Sequence, residues 1–176
     1  STIITPRHGK ALAQAIADRL TAITPLPSDH VDAQLSAIAN PKIAQWADAQ
    51  ITEGLKTPGA TDLTAASRGN EARLIQSDGM TYLLPTLIYC ETPEHPLAMK
   101  EFMFPYAAVV EVDQADLLDT IGPSLVVTAI TKDDALINAM LTSPDIQRLN
   151  LGAMPTSVAR WDQPHEGNLF EFLYQR

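Results

Sequence analysis

Residues 125–151, LVVTAITKDDALINAMLTSPDIQRLNL, decide the fold class. Leu125 to Ile130 is a continuous apolar run of buried-strand length. Thr131, with Asp134 three residues on, is expected to cap a helix whose face carries Leu136, Ile137, Met140 and Leu141. Ser143-Pro144 stops that helix, because the residue before a proline is pushed out of helical backbone. Ile146 to Leu151 then reads as a further strand. Just upstream, Ala107 to Val112 is another apolar strand, and Asp113 and Asp116 supply a cap for a short helix through Leu117, Leu118 and Ile121. Strand, helix, strand, helix, strand at this spacing implies right-handed crossovers. The expected fold is α/β, a mostly parallel sheet flanked by helices.

Working toward the N-terminus, Tyr82 to Tyr89 reads as one strand in which Pro85 marks an edge or a bulge. Residues 91–105, punctuated by Pro93, Pro96 and Pro105, read as a loop with at most one helical turn around Leu97 to Lys100. Residues 57–80 are rich in Thr, Gly, Ala, Ser and Asp and read as loop, with a brief strand near Arg73-Leu74-Ile75. Asn40-Pro41 is a strong helix start, Asn as the cap and Pro in the first turn. The helix it opens is expected to bury Ile43, Trp46, Ala47, Ile51 and Leu55. Ser28 would cap a short helix with Val31, Leu35 and Ile38. Lys10 to Ile23 forms a helix with Leu12, Ile16, Leu20 and Ile23 on one face. Ser1 to Thr5 is β-branched and strand-like. A domain opening inside a strand resembles a piece of something longer; the alternative is that the terminus simply lies there.

The chain has 176 residues, a net charge of −9 and a pI near 4.7, with 45% hydrophobic and 19% charged residues. That ratio belongs to a chain able to bury a core, and the length suits a single domain over 1–176. One cysteine, Cys90, excludes a disulfide framework and a cysteine-rich zinc site. The acidic balance argues against nucleic acid, which requires clustered Lys and Arg. No apolar run approaches a membrane span of about 20 residues. A reducing, cytoplasmic setting is the expectation.

Chemistry-bearing residues are sparse. No nucleophile elbow, phosphate loop or dinucleotide fingerprint is present, and no His pair has metal-ligand spacing, so no metal site is expected. Cys90 and His95, five residues apart, read either as a nucleophile pair or as a structural thiol beside a surface histidine; the second is preferred. Lys100-Glu101-Phe102-Met103-Phe104-Pro105-Tyr106, at a strand entrance, could frame a ligand or anchor a loop. Trp161-Asp162-Gln163-Pro164-His165-Glu166-Gly167-Asn168 offers an acid–base pair of His165 with Asp162 or Glu166, against a simple cap for a helix from Leu169 to Tyr174.

The order of four motifs resembles the aldehyde dehydrogenase superfamily, in the part of its catalytic domain downstream of the nucleophilic cysteine. Leu84-Pro85-Thr86-Leu87 looks like the family's x-Pro-Thr-aliphatic strand. Glu101 and Pro105 match the ends of a Glu-x-Phe-Gly-Pro motif. Thr128 to Asp133 looks like its strand-to-helix segment, and Leu149-Asn150-Leu151-Gly152 like the strand that follows. The resemblance spans roughly residues 1–152.

The resemblance implies oxidation of an aldehyde with NAD or NADP, a cysteine thiolate attacking the carbonyl and a hydride leaving to the nicotinamide. Glu101 then takes the position whose carboxylate accepts hydrogen bonds from the nicotinamide-ribose hydroxyls. Met103 stands where the family has phenylalanine, and Phe104 where it has glycine, which sets a bulky ring at a place of close approach. Trp161 and its neighbours would line the substrate entrance. The family's nucleophile, general base and dinucleotide-binding region lie upstream, so no catalytic residue is assigned in this chain and no tight cofactor binding is expected of it alone. Its implied partners are that N-terminal region and the aldehyde. A severed domain would also expose a surface that promotes homo-oligomers. Two further readings stand beside this one: a non-catalytic binding or assembly module built on the same fold, and a small cysteine hydrolase using Cys90 and His95.

Overall fold

A computed structural model describes residues 1–154 except Ser28 and Asn70. The chain divides into two compact units, Ser1–Leu117 and Leu118–Arg176.

In the first unit the central sheet has four strands: β1 (Thr2–Thr5), β2 (Ala60–Asp62), β5 (Thr86–Cys90) and β6 (Tyr106–Glu111), in the order β1-β6-β5-β2. β1, β6 and β5 run parallel; β2 is antiparallel to β5. β3 (Leu74–Ser77) and β4 (Met80–Leu83) form a separate hairpin. The side-chain alternation of a strand sorts the core into two layers. Leu87 and Val109 face one way, onto Ala13 and Ala17 of helix α1 (Gly9–Leu20) and Leu63 of α3 (Leu63–Ser67). Ile88, Cys90, Tyr106 and Ala108 face the other way, onto Ile51 of α2 (Pro41–Gly54) and Leu97 and Ala98 of the following loop. Both faces are covered, so the strands are apolar throughout rather than alternating.

Several sequence expectations are corrected here. α1 packs through Gly9, Ala13 and Ala17, while Leu12 is 39% exposed. Its small side chains let the helix backbone approach the sheet; of the expected face, Ile16 and Leu20 pack half-buried against the same cluster and Leu12 turns to solvent. α2 does likewise. Asn40 caps it by accepting from the Lys42 amide, as expected, but Ala44, Ala47 and Ile51 are buried while Ile43 and Trp46 are exposed. The segment 29–38 is not a helix: Ile38 donates its amide to the Thr81 carbonyl, Leu35 is buried and Val31 is exposed. The single strand expected over Tyr82 to Tyr89 is two strands in two sheets. Pro85, with no amide to give a ladder, sits at the corner between them. The loop expected over 57–80 contains β2 and α3, the latter capped by Asp62, which accepts from the Ala65 amide. Leu97 to Lys100 forms no helix.

A 3₁₀ turn (Gln114–Asp116) leads into α4 (Leu117–Ile121). In the second unit β7 (Ser124–Ala129) and β8 (Ile146–Leu151) pair in parallel, joined by α5 (Asp134–Thr142). The cap of α5 is Asp133, not Thr131. The Asp133 carboxylate accepts from the Ala135 and Leu136 amides, and the Thr131 hydroxyl accepts from the Asp133 amide. Met140 is buried beneath α5, whereas Leu141 is exposed.

Candidate functional site

The segment 101–106 enters β6 with a period-two alternation. Glu101, Met103 and Pro105 are exposed, Phe102 and Phe104 are half-buried, and Tyr106 is buried. Phe102 meets Tyr106 edge-on, with ring centroids 4.8 Å apart, and Phe104 lies 6.0 Å from Phe102 and 6.1 Å from Tyr106. Trp46 of α2 extends this aromatic stack, its ring 5.9 Å from Phe102. The Tyr106 hydroxyl donates to the Leu97 carbonyl at 2.7 Å, and burial raises its pKa. One side of the segment is thus fixed by aromatic packing, while the other stands open.

On the open side lies a cleft of about 310 Å³ lined by Ser1 and residues 101–106. Glu101 projects into solvent with its side chain 82% exposed, and Oε1 lies 3.8 Å from the Ser1 amino nitrogen. Met103 is 95% exposed. Phe104 is half-buried and packs against the two core clusters that Ala44, Ala47 and Ile51 of α2 join, while still lining the cleft. The period-two pattern that sends it there is written in the sequence, with acidic, Met and Pro positions alternating with three aromatics.

Cys90 and His95 are brought together, but as a structural pair. The Cys90 Sγ lies 3.7 Å from His95 Nδ1, which also accepts the Leu97 amide at 3.2 Å. With Nδ1 accepting, Nε2 carries the hydrogen and donates to the Thr57 carbonyl at 3.2 Å. His95 is buried, against the surface position expected for it. Cys90 is fully buried, and burial raises its pKa to about 11, the opposite of an activated thiolate. Among the described residues no group of His, Cys, Asp and Glu could hold a metal, and no helix is long and apolar enough to cross a membrane. Trp161, the His165 pairs and the helix expected from Leu169 lie outside the described residues.

No family model matches the chain, and no curated protein matches its sequence. Solved structures do match its fold. A mutant aldehyde dehydrogenase from Bacillus cereus aligns with a TM-score of 0.72 at 13% identity, over 90% of this chain and 32% of that one. The NAD+ complex of aldehyde dehydrogenase from the same organism aligns at 0.70 and 12%, over 90% and 32%. Methylmalonate-semialdehyde dehydrogenase from Oceanimonas doudoroffii aligns at 0.71 and 16%, over 86% and 31%. Succinic semialdehyde dehydrogenase from Streptococcus pyogenes, in complex with NADP+, aligns at 0.70 and 14%, over 90% and 34%. The chain therefore spans about a third of the length of the structures it matches, and over most of its own length it has the fold of that part of an aldehyde dehydrogenase.

Proposed function

We propose that this chain forms the cofactor-facing part of the catalytic domain of an NAD- or NADP-dependent enzyme that oxidises an aldehyde to a carboxylate or acyl derivative. The observation that carries the reading is Glu101, an exposed carboxylate on the lip of an open cleft in a chain with this fold. A carboxylate offers only acceptors, which suits the two hydroxyl donors of a ribose. The residues present fit such a group. Phe104, which replaces the family's glycine, is half-buried, its ring 6.0 Å from Phe102 and 6.1 Å from Tyr106, and it lines the cleft together with them. When bound, the nicotinamide would accept the hydride that leaves the aldehyde carbon.

The chain's own contribution is to hold and orient. Phe102 and Phe104 fix the loop from beneath, Glu101 takes the ribose hydroxyls, and Met103 offers an apolar surface on the open side. The nucleophile, general base and dinucleotide-binding region would be supplied by residues outside this chain, and the 176 residues alone are expected to form no NADH from aldehydes. A cytoplasmic setting, the substrate entrance at Trp161 and a homo-oligomeric state belong to the same reading. The test is steady-state kinetics of the intact protein with NAD+ and NADP+. Glu101→Gln should raise the nucleotide KM by about tenfold, the loss of roughly one charge-assisted hydrogen bond. An unchanged KM removes Glu101 from the site. A second reading, an assembly module on the same fold, draws on the exposed Trp46 and Met103; it gains if the intact protein binds neither nucleotide.

A further inference from the structure

The corner Leu84–Leu87, where the chain leaves the β3–β4 hairpin and enters the central sheet, is buried. Buried backbone groups need partners, and Leu84 and Pro85 lie outside both ladders. Side chains and distant backbone supply them. The Leu84 amide donates to the Arg73 carbonyl at 2.9 Å, and the Thr86 hydroxyl donates to the Leu84 carbonyl at 2.9 Å. Arg68 Nη1 donates to the Pro85 carbonyl at 3.1 Å. The Leu87 amide donates to the Thr64 hydroxyl at 3.3 Å. Finally, the Thr86 amide donates to the Pro105 carbonyl at 2.9 Å. That last bond ties the corner to the end of the Glu101–Pro105 segment.

The arginine that grips the corner is itself locked. Arg68 Nη2 lies 3.5 Å from Asp62 Oδ2, with side-chain exposures of 8% and 6%. Asp62 Oδ2 also receives Arg73 at 3.0 Å, and Arg73 reaches Asp48 at 2.6 Å. Asp62 Oδ1 accepts from the Thr64 hydroxyl at 2.5 Å and the Ala65 amide at 3.0 Å. Burial works against the Arg68 charge and Asp62 works for it. A buried network of this kind is weak evidence for stability, because hydrophobic replacement is often neutral. It does fix geometry. A guanidinium fork presents two donors in a fixed plane to Asp62 and the Pro85 carbonyl, whereas an ammonium has three donors on one atom and no fork to fix their spacing.

We propose that Arg68 is a positioning residue for the Glu101–Pro105 loop, acting through the Pro85–Thr86 corner. The inference rests on the reading of Glu101 as a nucleotide contact, and its experiment separates the two. Arg68→Lys keeps the charge beside Asp62 and loses the fork; Arg68→Met removes both. Hydrogen exchange on the full 176-residue chain reads the Thr86 amide directly. In Arg68→Lys it should exchange about tenfold or more faster, the equivalent of one lost charged hydrogen bond, while the Val109 and Val110 amides in the same sheet keep their rates. An unchanged Thr86 rate overturns the inference, as does uniform acceleration across the unit, which would mark Arg68 as merely structural. In the intact enzyme Arg68→Lys should raise the nucleotide KM with kcat held. If Glu101→Gln moves that KM and Arg68→Lys does not, the positioning role fails. If Glu101→Gln does not move it, the Glu101 reading fails, and the Thr86 exchange rate still judges the clamp.

Discussion

Replacing Gly54 by alanine sets two effects of opposite sign against each other. Gly54 is the last residue of α2, where alanine gains up to about 1 kcal/mol in helix propensity. A Cβ there would stand 2.6 Å from both Cγ and Cδ2 of Leu97 and 3.0 Å from Cδ1. Leu97 is held in the core by Ile51, Cys90 and Ala98, so it has little room to withdraw. Overpacking of this kind costs about 1–3 kcal/mol, so Gly54→Ala should destabilise the first unit by about 1 kcal/mol net. Leu97→Ala deletes the three atoms that clash, at its own cost of about 2–5 kcal/mol. In that background Gly54→Ala should become neutral or stabilising. The measurement is urea unfolding followed by Trp46 fluorescence with Trp161→Phe in every variant, with m compared across the four corners of the cycle. The expected coupling is about 2 kcal/mol between the two sites. A Gly54→Ala effect of the same sign and size with and without the Leu97 side chain would refute the packing argument.

Three other outcomes follow from the same geometry. The Cys90 pKa is raised from 9.0 to about 11, so the folded state holds its proton where the unfolded state has lost it. The sign is that stability is unaffected by this group below pH 9 and falls as pH rises from 9 toward 11. Cys90→Ala should flatten the lower part of that slope, and in the native protein alkylation of Cys90 should wait on unfolding; rapid native labelling at neutral pH would contradict the burial. Asp62→Asn leaves two buried arginines short of charge and should cost about 3–5 kcal/mol, whereas Asp48→Asn, at a side chain 31% exposed, should cost less than half as much by chemical denaturation. In the second unit Asp133→Ala should cost about 1 kcal/mol through the lost helix cap and Thr131→Ala less, read by circular dichroism on melting; equal effects would return the cap to Thr131.

The strand and helix order of residues 106–151 was legible because each element is signalled locally. A β-branched run marks β7, Ser143-Pro144 ends α5, and the apolar residues Ile146, Leu149 and Leu151 follow it in β8; further upstream, Asn40-Pro41 opens α2 in the same way. Local signals found only part of the buried faces. Periodicity put Ile16, Leu20, Ala47 and Ile51 against the core, as found. It missed Ala13, Ala17 and Ala44 and placed Leu12, Ile43 and Trp46 there, which are exposed, because close approach to a covered sheet favours small residues at the contact line. The segment 57–80 read as loop because Thr, Gly, Ser and Asp suit turns. In the fold those residues and their two arginines line a buried corner, and their polar groups are matched by partners far along the chain.

The candidate site divides the same way. By itself, the sequence determined the α/β class, the parallel pairing of β7 with β8, and the Glu101-to-Pro105 spacing that carries the family resemblance, all properties of near neighbours along the chain, whereas β6 pairs with β1 and β5 and not with β7. Only the tertiary structure decided that Phe104 is half-buried against Phe102 and Tyr106 while still lining the cleft. It alone decided that Cys90 is a buried thiol facing an accepting His95 nitrogen, and that Pro85 separates two sheets. Each of those depends on what packs against a residue from across the sheet, and a side chain's burial, charge state and direction are set by neighbours that the local sequence does not contain.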